Sequence, residues 1–215
     1  MPISKTIVIS AAGVGQRLGL GHTKAMLKIA GKPIIIHHLE QLDKFDDVRI
    51  VVGFNAEDLI NTVLSYRKDI TFVFNHRYLK THTLRSLYLG CRFARDYIIS
   101  LDGDLLIAPS DLKSFLNEDR EIMGYCKAYS DDAVYADIIN KKGQNYITGF
   151  NRKSGQYEWT GLIQVKSDKI INTETYVYQI VNNYLPFPAK NINCREIDTP
   201  DDLERAQVWA KKIFK

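Results

Sequence analysis

The feature that most constrains this chain is where its glycines fall. An apolar, β-branched run, Thr6-Ile-Val-Ile9, is followed at once by Ser10-Ala-Ala-Gly-Val-Gly-Gln-Arg-Leu-Gly-Leu-Gly-His-Thr-Lys-Ala-Met-Leu-Lys28. The first run reads as a buried strand, so the glycines lie where a strand ends and the backbone must turn sharply. Gly13 and Gly15 remove side chains that would keep a phosphate chain away from backbone N–H groups, and Arg17 and Lys24 place two cations on the same loop. Such a loop suits a polyanion.

Other glycine-loop architectures fit less well. A dinucleotide-binding turn needs its third glycine at Leu18 and an acidic residue at the end of the second strand, which instead reads Val51-Val-Gly-Phe54. The Walker pattern fails because Gly31-Lys32 is followed by Pro33. A bare surface loop is the remaining alternative, although long glycine-rich loops are usually functional or mobile.

With 215 residues the chain predicts one domain over residues 1–215. A formal charge of +4 with scattered basic residues argues against a nucleic-acid surface and suits anionic small molecules. Cys91, Cys126 and Cys194 stand far apart with no Cys-x-x-Cys spacing, so neither a zinc site nor a disulfide framework is expected. No charged leader with an apolar core opens the sequence, and no apolar run approaches the roughly 20 residues of a membrane span. A cytoplasmic protein without membrane insertion is the expectation.

In chain order, Pro33 opens a helix through Leu42, Val48–Val52 is a second strand, Ala56–Ser65 a helix and Ile70–Phe74 a third strand. This βαβαβ beginning predicts an α/β fold with a parallel sheet and helices on both faces. Adjacent His37 and His38 point to different faces and are read as structural. A polar connection leads to a helix from Leu84 to Ala94 with Thr83 as its N-cap; Thr83 and Ser86 could read a base, or only cap and solvate the helix start. The fourth strand, Tyr97–Leu101, ends in Asp102-Gly-Asp104, a crowded carboxylate pair that a cation such as Mg²⁺ would compensate.

From Ile122 the texture changes to strands joined by short turns: Ile122–Ala128, Ala133–Ile139, Ile147–Phe150 and Tyr157–Val165, predicting antiparallel additions in the second half. A helical segment is read within Asp168–Tyr184, and Pro186 and Pro188 are read as breaking regularity. Cys194–Ile197 is a short last strand, and Thr199, Pro200, Asp201 and Asp202 start a final helix to about Ile213. Asp198, just before the cap, is either a turn residue or positioned to meet Asp104 across a metal. Glu158-Trp159 suggests a carboxylate beside an indole face for a cationic acceptor, with burial of Trp159 for packing as the alternative.

Several separated pieces agree with one family. The stretch Ala11 to Leu18 with Lys24 and Leu27, then Ile29–Pro33, Val51–Phe54, Gly103-Asp104, Gly161 and Ile197–Leu203 together resemble the sugar-phosphate nucleotidyltransferases, most of all the small cytidylyltransferases of the phosphocholine, inositol-phosphate or aminoethylphosphonate type. The resemblance spans nearly the whole chain. It implies a GT-A/Rossmann-like three-layer sandwich and transfer of CMP from CTP to a small phosphorylated or phosphonate acceptor, with pyrophosphate released. It further implies that Ala11, Ala12, Gly13, Val14 and Gly15 hold the nucleotide, with Thr83 and Ser86 beside it. Arg17 and Lys24 are then the catalytic cations, Asp104 and Asp198 hold Mg²⁺, and Glu158 and Trp159 meet the acceptor. The partners implied are an NTP and its acceptor, and a homodimer is compatible with the sequence. Sugar-1-phosphate, inositol-phosphate and molybdenum-cofactor nucleotidyltransferases share the loop and stay open as alternatives. Thr23 departs from the family's usual proline before the lysine, which bears on the loop's rigidity.

Overall fold

Ile7, Val8 and Ile9 have no solvent exposure, as a β-branched run covered on both sides of a sheet requires. The computed structural model describes residues 3–19, 21–130 and 133–214. Its strands are β1 (Lys5–Ser10), β2 (Lys28–Ile29), β3 (Lys32–Pro33), β4 (Val48–Val52), β5 (Thr71–Phe74), β6 (Tyr97–Asp102), β7 (Leu105–Ile107), β8 (Ile122–Lys127), β9 (Tyr135–Lys141), β10 (Gln144–Asn151), β11 (Tyr157–Lys166), β12 (Phe187–Asn191) and β13 (Cys194–Glu196). The α-helices are α1 (Ile34–Leu39), α2 (Ala56–Tyr66), α3 (Thr83–Gly90), α4 (Pro109–Leu116), α5 (Val177–Val181) and α6 (Pro200–Ile213).

Among the described residues, nine strands form the main sheet in the order β5-β4-β1-β6-β11-β8-β12-β10-β9. The first four are parallel, and β11 joins β6 antiparallel, so the expected α/β architecture with antiparallel additions in the second half is what forms. The chain winds from β1 outward through β4 and β5, then returns to place β6 on the other side of β1. That reversal makes the carboxyl ends of β1 and β6 a topological switch point, where open α/β sheets collect their ligands. Two apolar clusters flank the sheet, one including Leu39, Leu59 and Phe115, the other Leu84, Leu87 and Val181; a third packs α6 through Ala206, Trp209 and Ala210.

Local chemistry explains the start of α6. Thr199 caps α6 reciprocally: its Oγ1 accepts from the Asp202 amide at 3.2 Å, while Asp202 Oδ2 accepts from the Thr199 amide at 2.9 Å. His37 and His38 are buried, and their Nε2 atoms bond the carbonyls of Ile29 (2.8 Å) and Leu105 (2.7 Å), a structural role for both. Cys91, Cys126 and Cys194 are free thiols.

Three sequence expectations need correction. The first helix stops at Leu39 rather than Leu42. His82, not Thr83, is the N-cap of α3, and Thr83 is the first helical residue. Pro188, read as breaking regularity, lies inside β12, opposite Tyr146 of β10, while the helical segment read within Asp168–Tyr184 is α5, Val177–Val181. The amphipathic α4, opened by Pro109 at its first turn, was not anticipated. Among the described residues, no helix is long and apolar enough to cross a membrane.

Candidate active site

The glycine loop leaves the end of β1 beside β4 and β6. The Ala11 amide donates to Val51 O, and the Gly103 amide to Ser10 O, both at 2.9 Å. At Gly15, φ is +63° and a Cβ would sit 3.0 Å from Lys24 Cγ, so a side chain there would be strained and would crowd the lysine. Thr23, where the family resemblance leads one to expect proline, is 2% exposed and donates its hydroxyl to Ala11 O at 3.0 Å. A hydrogen bond thus pins the loop where a ring would otherwise restrict it.

Lys24 Nζ donates to Asp104 Oδ2 at 2.9 Å and also bonds Asp198 Oδ1. Burial works to lower the lysine's pKa, but Asp104 and Asp198 outweigh it and raise it. Arg17, half exposed, reaches Asp198 at 3.2 Å. Asp104, Glu196 and Asp198 each bring a carboxylate oxygen to within 4.8 Å of the others. Three converging hard oxygen donors fit Mg²⁺, which takes one or two carboxylates and completes its shell with water and phosphate oxygens. Asp102, on the other side of Gly103, has its carboxyl pushed up to about 7, first by burial and then by Asp104 and Asp198, against the opposing effect of Lys24. It abuts Gly161, whose φ of +76° creates a bulge in β11 between Trp159 and Ile163.

These groups line one cleft of about 630 Å³. All five loop residues from Ala11 to Gly15 border it, with Arg17, Lys24, Asp104 and Asp198, and so do Thr83 and Ser86 on the opposite wall. Ser86 is 6% exposed and its Oγ accepts from Asn75 Nδ2 at 3.1 Å, so its hydroxyl is already committed on one side. Sequence reasoning missed Glu196, Arg152, His82 and Tyr176, which also border the cleft. Glu196 was legible in principle: it lies two residues before Asp198, the spacing that places extended residues on one face.

Glu158 and Trp159 do not come together. As neighbours on β11 they point to opposite faces of the sheet. Trp159 packs against Phe150, ring centroids 5.7 Å apart, while Glu158 is 4% exposed beside Cys126. Neither borders the cleft. The packing alternative describes Trp159 as it sits.

A glycine loop, Lys24 and a carboxylate trio thus meet in one cleft at the switch point of a doubly wound sheet, which suits a nucleotide-handling enzyme. The chain belongs to the MobA-like NTP transferase domain family, whose profile matches residues 7–150. It is 28% identical over 217 residues to the bifunctional protein GlmU of Methanococcus vannielii, an alignment covering 96% of this chain and 48% of that protein. The chain thus spans about half the length of this curated relative. Among solved structures it is similar to one from Bacillus anthracis provisionally assigned as a glucose-1-phosphate thymidylyltransferase, in complex with sucrose (TM-score 0.80, 19% identity, 97% of this chain and 96% of the other). It is similar too to the inositol-1-phosphate CTP transferase of T. maritima (TM-score 0.79, 20% identity, 100% and 98% covered). At these identities the structural likeness concerns the fold.

Proposed function

We propose that this chain transfers a nucleotidyl group from an NTP, with CTP as the donor, to a phosphate or phosphonate oxygen of a small acceptor of the phosphocholine or aminoethylphosphonate kind. The observation that carries the reading is the meeting of the glycine loop, Lys24 and the Asp104, Glu196 and Asp198 carboxylates in one cleft. An acceptor oxygen attacks the α-phosphorus in line; the new P–O bond forms as the bond to the bridging oxygen breaks, and pyrophosphate leaves with that electron pair. No covalent enzyme intermediate is needed.

The work of the protein is positioning and charge neutralisation. The loop amides and Arg17 hold the β- and γ-phosphates, and Lys24 stabilises charge at the α-phosphate once it exchanges Asp104 and Asp198 for phosphate oxygens. Asp104, Glu196 and Asp198 would hold Mg²⁺, which when bound supplies neutralisation of phosphate charge. Arg152 suits the acceptor's anionic end, and the rings of His82 and Tyr176, 4.2 Å apart, suit its head group in place of Trp159. A second reading, another NTP with a sugar 1-phosphate, is supported by the GlmU relative and by the likeness to the structure provisionally assigned as a glucose-1-phosphate thymidylyltransferase. Pyrophosphate release measured with each of the four NTPs, Mg²⁺ and phosphocholine, aminoethylphosphonate, inositol phosphate or a sugar 1-phosphate tests both. Fastest turnover with CTP and an amine-bearing acceptor is expected; fastest turnover with another NTP and a sugar 1-phosphate would replace the first reading by the second.

A further inference from the structure

The wall of the cleft opposite the glycine loop is held from behind by Asn75, which does not itself border the cleft. It follows directly on β5 and is 2% exposed. Its backbone amide donates to Val52 O at 2.9 Å, and its carbonyl accepts from the Tyr78 amide at 3.2 Å. Its side-chain Oδ1 accepts from the Arg77 amide at 3.1 Å. An N–H group can meet only the oxygen of the carboxamide, so this bond fixes which end of the side chain is Nδ2. Nδ2 then turns its two hydrogens to two hydroxyls that do border the cleft, Thr81 Oγ1 at 3.0 Å and Ser86 Oγ at 3.1 Å.

Both hydroxyls therefore accept from Asn75, and each keeps its own hydrogen to give. Thr81 gives its hydrogen to Arg77 O at 3.1 Å. For Ser86, among the described residues, nothing accepts the hydrogen. Its side chain is buried except where it borders the cleft, so an acceptor for that hydrogen can come only from there. A donor left unmet in so dry a place is costly, and a ligand acceptor relieves the cost. Tyr78, Leu79, Thr81 and Thr83 on the same wall are uncharged, and Leu79 is 68% exposed, whereas Arg17 and Lys24 stand on the loop across from them. An uncharged flat ring with a few polar edges suits such a wall better than a phosphate does.

We propose that Asn75 is a positioning residue for the nucleotide base: by donating to both hydroxyls it turns the Ser86 hydrogen into the cleft, as a fixed donor to a carbonyl oxygen or ring nitrogen of the base. The inference rests on the nucleotidyl-transfer reading and adds to it the group that sets the polarity of the base wall.

The test is calorimetric titration of the full chain with Mg²⁺ and, in turn, CTP, UTP, ATP, GTP and inorganic tripolyphosphate, which has the phosphates without a base. Ser86→Ala should raise the Kd of the NTP that the parent binds most tightly about fivefold, the loss of one net hydrogen bond. Asn75→Asp keeps the acceptor for the Arg77 amide but makes the other end an acceptor too, so the Ser86 hydrogen turns back to it and Kd should rise at least as much. Asn75→Ser, which keeps only the turn acceptor and withdraws both donors, should act in the same direction and decides the matter if Asn75→Asp does not fold. In the Ser86→Ala chain either change at Asn75 should add nothing, because its effect passes through that hydroxyl. Tripolyphosphate should bind all variants as it binds the parent. The proposal is overturned if folded Ser86→Ala or Asn75 variants hold the NTP as the parent does, if tripolyphosphate weakens in parallel, or if the Asn75 effect persists in full without the Ser86 hydroxyl. A parent chain that binds none of the four NTPs defeats the nucleotidyl-transfer reading itself, and this inference with it.

Discussion

Gly161→Ala probes the bulge that brings β11 against the catalytic floor. At φ +76° an L-residue pays the left-handed penalty, about 1–2 kcal/mol. The added Cβ would also stand 3.3 Å from Asp102 Cγ and well inside contact distance of its Oδ2. Asp102 can relieve that overlap only by leaving its rotamer, at about 0.5–1.5 kcal/mol. Together these predict a loss of about 2–3 kcal/mol, which for a domain of this size lowers Tm by about 5–10 °C. Thermal unfolding followed by circular dichroism measures it. Asp102→Ala in the same chain separates the two parts: it should recover about 1 kcal/mol of the loss while the backbone penalty stays. A Gly161→Ala protein melting within about 2 °C of wild type, or an Asp102→Ala background with no recovery, would refute the steric argument.

Four further expectations follow from the site and the core. Lys24→Ala should lower kcat by roughly 10²–10³ in steady-state assays, and its Mg²⁺ half-saturation should not rise, because the ammonium no longer competes for Asp104 and Asp198. Asp104→Asn, Asp198→Asn and Glu196→Gln should each raise the Mg²⁺ concentration for half-maximal rate, with Asp102→Asn milder; equal damage from Asp102→Asn with Asp104→Asn active would exchange their roles. Burial holds His38 near 4 against its ordinary 6.5, so the unfolded chain takes up a proton that the folded chain refuses as pH falls from 6.5 to about 4. Stability should drop by about 3 kcal/mol over that window, and denaturant melts of His38→Gln should lack that share of the slope. Trp159→Leu, which packs on Phe150 rather than facing the cleft, should cost about 1–3 kcal/mol in denaturant unfolding and leave the acceptor KM unchanged.

What could be read from the sequence was local. The Thr6–Ile9 run followed by glycines located the switch point, since strand burial and φ freedom are properties of neighbours in the chain. The Thr199-Pro200-Asp201-Asp202 series placed the start of α6 because a capping box is complete within four residues. Arg152 was less accessible, because it borders the cleft only through the path of the chain just after β10. Glu158 and Trp159 failed as a pair for a reason present in the sequence: once Tyr157–Val165 is read as a strand, adjacent side chains must part to opposite faces. Pro188 misled through its usual meaning, since a proline can sit in a strand wherever its missing amide is not required.

The position of β12 in the sheet sets an order of events during synthesis. It inserts between β8 and β10, so these two strands, made some forty to sixty residues earlier, wait for Phe187–Asn191 before their shared gap can close. The parallel half, from β1 to β6, has all its partners by Asp102, apart from the edge that β11 later covers. The strands that frame the glycine loop, β1, β4 and β6, are therefore all synthesised well before residues 196 and 198 emerge to face Asp104. The frame of the glycine loop precedes the carboxylate trio along the chain, and a chain grown only to β12 carries the first without the second.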